Sequence, residues 1–86
     1  MASIEEVRAA IAQAVDKATQ SQAALQQAAQ LAEDAQALLS SVTQGSVQND
    51  VEQTNAHFAQ VVGGVGELQN FLGAGISSAE GINARL

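Results

Sequence analysis

His57 is the only imidazole in this 86-residue chain, and there is no cysteine. A zinc site built on His57 would need carboxylates for every other ligand, a poor match to the nitrogen and sulfur donors zinc favours. At its heptad position it reads as a surface histidine beside Phe58. The carboxylates come as Glu5-Glu6, Glu33-Asp34 and Asp50-x-Glu52. None has the D-x-D-x-D-G spacing that wraps calcium in an oxygen loop, so they read as solvated faces or helix N-terminal charges. Serine is plentiful, yet no G-x-S-x-G elbow occurs, and no base is spaced to activate a hydroxyl. Gly63-Gly64-Val65-Gly66 lacks the Lys-Ser/Thr and the preceding strand of a phosphate loop. The expectation is a protein with no catalytic residues, no cofactor and no metal.

Composition narrows the partners. The formal net charge is −6, from nine acidic and three basic residues. Such a chain cannot neutralise phosphates, so nucleic acid is not expected. It also lacks the basic polar face that an anionic membrane surface requires. No stretch reaches the roughly 20 consecutive apolar residues of a membrane span. Met1-Ala2-Ser3-Ile4-Glu5-Glu6 is acidic and has no apolar leader core. The expected location is the cytoplasm, with any export following a leaderless route.

The pattern that remains is helical. Before Gly45, one seam runs through Ile4, Val7, Ile11, Ala14, Ala18, Ser21, Leu25, Ala28, Ala32, Ala35, Leu39 and Val42. After it, the seam runs through Val47, Val51, Thr54, Phe58, Val61, Val65, Leu68, Leu72, Gly75, Ala79, Ile82 and Leu86. Both alternate steps of three and four, the heptad period of an α-helix packed along one side. There is no proline. Ser3 and Glu6 match a capping box, so helix 1 is expected over 3–41. A turn over 42–46 follows, with Gly45 suited to the left-handed position past a helix end. Helix 2 is expected over 47–85. The fold class is therefore all-α: one antiparallel, coiled-coil-like two-helix hairpin. In it, paired positions sum to about 90, placing Leu25 near Val65 and Ile11 near Ala79.

Helix 2 also carries Gly63, Gly64, Gly66, Gly73, Gly75 and Gly81. Three readings stand: a continuous but soft helix, a break near 63–66 or 73–75, or flat spots where another backbone docks. Val15, Leu31 and Leu38 flank the seam of helix 1; Val62, Phe71 and Ile76 flank that of helix 2. A two-helix hairpin buries one stripe per helix, so these six are candidate interface residues. Two hairpins, identical or different, are expected to pair into a four-helix bundle.

This layout resembles the WXG family, the small leaderless helical hairpins associated with type VII secretion in actinobacteria and Firmicutes. Gly45 stands where the Trp-x-Gly turn of that family has its glycine, within Thr43-Gln44-Gly45, but threonine replaces the tryptophan. The family's export motif places an acid four positions after an aromatic residue. Here Ile76-Ser77-Ser78-Ala79-Glu80 keeps the acid and lacks the aromatic. The Ala- and Gln-rich style is similar to that of actinobacterial proteins. The resemblance implies a homodimer, or a dimer with a related hairpin, acting as a secretion-linked partner or adaptor. The alternative reading is a cytosolic coiled-coil assembly module with no export role.

Overall fold

The computed structural model describes residues 2–42 and 48–86. Two helices make up the fold: α1, Ile4–Val42, and α2, Gln48–Arg85. Ser3 Oγ accepts from the Glu6 backbone N–H at 3.1 Å, which satisfies one of the orphan donors of the first turn. Glu5 and Glu6 place negative charge at the positive end of the α1 dipole. Arg85 sits at the opposite pole of α2, in its last turn. The expected turn residues Thr43, Gln44 and Gly45 lie outside the described residues.

The six glycines of α2 do not interrupt it. The helix is continuous from Gln48 to Arg85, and none of these glycines has the left-handed backbone that would require the residue. A break near 63–66 or 73–75 is therefore ruled out, and a continuous α2 is what stands.

The helices lie side by side in a rod of 65 × 18 × 15 Å. Gln36 Nε2 donates to the Asn55 carbonyl at 3.0 Å, and Gln69 Nε2 approaches the Gln22 carbonyl at 3.5 Å. Both contacts match the expected antiparallel register to within one residue.

The seam itself differs from the expectation in a consistent way. Half of the expected positions face inward: Val7, Ile11, Ala18, Leu25, Ala32, Ala35 and Leu39 on α1, and Val51, Phe58, Val65, Leu72 and Ala79 on α2. All but Val7 and Ala35 are d positions of the heptad. The other inward positions fall one residue later than expected. They are Val15, Gln22, Ala29 and Gln36 on α1, and Asn55, Val62, Gln69, Ile76 and Asn83 on α2, the a positions. Ala14, Ser21, Ala28, Val61, Leu68, Gly75 and Ile82, one residue before each a, become g positions outside the seam, and all are exposed. One physical cause is visible in the contacts. The Gln36 and Gln69 side chains donate to backbone carbonyls of the opposite helix and Asn55 donates to Ser40, so the a stripe tolerates burial despite its polarity. An apolar arc wider than one neighbouring helix must leave part of itself uncovered.

Packing along this seam is thin. Val65, at 6 % exposure, is the single buried side chain among the described residues. The a stripe contributes five amides beside Val15, Ala29, Val62 and Ile76, so it removes little apolar area from water. The Oδ1 atoms of Asn55 and Asn83 are buried and accept no hydrogen bond from a described residue. Each such atom costs about 1–3 kcal/mol.

Candidate functional site

The g positions of both helices fall on the same side of the hairpin. In an antiparallel pair the two g stripes face each other across one edge of the seam, and the e stripes across the other. A groove of about 420 Å³ opens on the g side, lined by Ala18, Ser21 and Leu25 of α1 and Leu68, Phe71, Leu72, Gly75 and Ile76 of α2. On the e side Asn55 Nδ2 donates to Ser40 Oγ at 3.0 Å, and Gly73 lies against the Gln22 amide. The two broad faces of the rod are thus chemically distinct.

The g face is apolar and uncovered. Its α2 half carries Val61, Leu68 and Ile82 at g and Phe71 at the adjoining c position, all exposed, Phe71 by 74 %. Its α1 half carries Leu31 and Leu38 at c, exposed by 60 % and 67 %. Small residues lie between them: Ala14, Ser21 and Ala28 at g, Ala10 and Ala24 at c. Isolated exposed apolar residues are ordinary on protein surfaces, but a contiguous stripe of large ones marks an interaction site.

Charge is segregated accordingly. Eight of the nine carboxylates occupy e, b or f positions, away from this face; Asp50, in the first turn of α2, is the exception. Asp16, Glu33, Glu52 and Glu80 line the opposite side, and Glu67 and Asp34 the outer edges. Lys17, His57 and Arg85 fall at c positions bordering the apolar face.

The six candidate interface residues separate into two groups. Leu31, Leu38 and Phe71 stand on the uncovered face. Val15, Val62 and Ile76 are half-buried at a positions, inside the hairpin's own seam. Val61, Leu68 and Ile82, assigned to the seam by their spacing, stand instead on the uncovered face. The signal that separates the groups was present in the chain: amides recur every fourteen residues in both halves, at Gln22 and Gln36, and at Asn55, Gln69 and Asn83.

His57 is exposed, and among the described residues no three His, Asp or Glu side chains gather as a metal-ligand group. No helix among the described residues is long and apolar enough to cross a membrane. Comparison of the chain with family models, with curated proteins and with solved structures finds no match.

Proposed function

We propose that this chain is a non-enzymatic interaction hairpin that completes its fold by pairing with a second hairpin into a four-helix bundle. In this reading it is a divergent WXG-like partner or adaptor linked to type VII secretion. The observation that carries the pairing is the contrast between one buried side chain among the described residues, Val65, and an uncovered face bearing Leu31, Leu38, Val61, Leu68 and Phe71. A hairpin so thin in core gains most by covering that face. The link to secretion rests on the family resemblance of the hairpin and of Gly45.

Absolute mass by light scattering on a sizing column, over a range of concentrations, tests the pairing. A dimer, or a stable complex with a related hairpin, supports it. A well-folded monomer that binds no hairpin removes it. Comparing culture supernatant with lysate tests export separately. Protein confined to the lysate favours the cytosolic assembly module instead.

A further inference from the structure

The uncovered face carries a projection beside a recess. Phe71, 74 % exposed, stands at the rim of the groove, and Ser21 and Gly75 line the groove with almost no side-chain bulk. A second copy of the chain presents the same projection and the same recess. We propose that the second hairpin is another copy of this chain, docked about a two-fold axis so that each Phe71 enters the other copy's groove between Ser21 and Gly75. This rests on the pairing proposed above and adds to it the occupant and the contact.

Three observations point to self-docking. Two-fold symmetry brings one patch onto itself, so a projection adjoining its own recess is filled in both copies at once. Charge permits the approach: the formal charge of −6 per copy resides almost wholly on the other faces, with Asp50 the one carboxylate on this one. Area is in proportion as well. The chain exposes 6197 Å², whereas a globular monomer of 8.8 kDa exposes about 4,800 Å². The surplus of about 1,400 Å² exceeds the roughly 800 Å² that each partner contributes to a stable interface.

Gly75 makes the proposal testable without unfolding the hairpin. A Cβ built at Gly75 meets nothing within 4 Å, and the backbone there is helical. A side chain at this position therefore suits the hairpin and raises helix propensity, yet it occupies the recess. The experiment is light scattering and circular dichroism on the full chain, on Gly75→Gln and on Phe71→Ala, across a range of concentrations. The expected result is a mass twice 8.8 kDa for the parent chain. Each variant is expected to weaken dimerisation at least about tenfold while keeping its helical signal at concentrations where it still pairs. A parent dimer whose mass neither variant changes overturns the Phe71 contact and leaves the pairing standing. A parent that is monomeric at every concentration, but gains helix on mixing with a related hairpin, overturns the second copy as occupant and keeps the pairing. A parent monomer that pairs with nothing overturns both.

Discussion

Gln36 and Asn55 meet at a positions on opposite helices, with Gln36 Nε2 donating to the Asn55 carbonyl at 3.0 Å. Gln22 and Gln69 form the equivalent layer fourteen residues along each helix. Fourteen residues further along α2, Asn83 is half-buried at the next a position, while Arg8, its counterpart in register, is exposed. The intervening a positions are Val15, Ala29, Val62 and Ile76. A polar residue at a costs stability relative to an aliphatic one and holds the helices in one alignment, because a slip leaves the amide facing apolar side chains. Replacing both Gln36 and Asn55 by leucine should raise stability by roughly 1–2 kcal/mol through added apolar burial. The same double variant should lose its single alignment. Thermal melting reads the first effect, and the number of backbone amide resonances reads the second. A double variant that melts lower and keeps one set of resonances would remove the alignment role.

Gly63 and Gly66 cost α2 stability without serving its packing. A Cβ at either position meets nothing within 4 Å, and both lie away from the apolar face. Alanine at each should therefore stabilise the chain by up to about 1 kcal/mol. For a domain of this size that raises the melting temperature by about 4–8 °C per substitution. Circular dichroism melts check it. A fall in melting temperature would mean that another backbone docks on these glycines.

Val65 and Leu38 should respond in opposite ways. Val65→Ala removes apolar volume from the one buried position and should cost about 1.5 kcal/mol in denaturant unfolding. Leu38, exposed by 67 %, contributes little to the hairpin itself. Leu38→Asp should keep the helix content and lower the mass in solution. An unchanged mass would place Leu38 outside any interface.

Pairing also predicts how melting depends on concentration. A partner that binds only the folded hairpin stabilises it by mass action, so the melting temperature should climb as protein concentration rises. Melts over a hundredfold range of concentration test this. A constant midpoint would describe a hairpin that is stable alone.

The α-helical hairpin and its register were legible because local and global signals agreed. Ser3 caps α1 as its spacing with Glu6 implied, and the absence of proline left both helices uninterrupted. The glycines did not outweigh the packing of α2 along its length. The phase of the seam was less legible. The d stripe, with Leu25, Phe58 and Leu72, is common to both possible phases. The choice lay between the g stripe, with Val61, Leu68 and Ile82, and the a stripe, with Val62, Gln69 and Asn83. By hydropathy g is the better buried, and a pattern reading selects it. The inward stripe is instead the one whose side-chain amides donate to the backbone carbonyls and a serine of the facing helix. Apolarity alone does not say which of two surfaces an apolar stripe will meet.

The separation of charge from apolar surface also bears on growth. Once the face bearing Phe71 is covered, the particle shows water mainly acids, glutamines and alanines. A third hairpin then finds no comparable apolar stripe to cover and meets carboxylates approaching carboxylates. On the proposed pairing, association would close at two hairpins rather than lengthen into a filament, and the finished particle would repel its own kind.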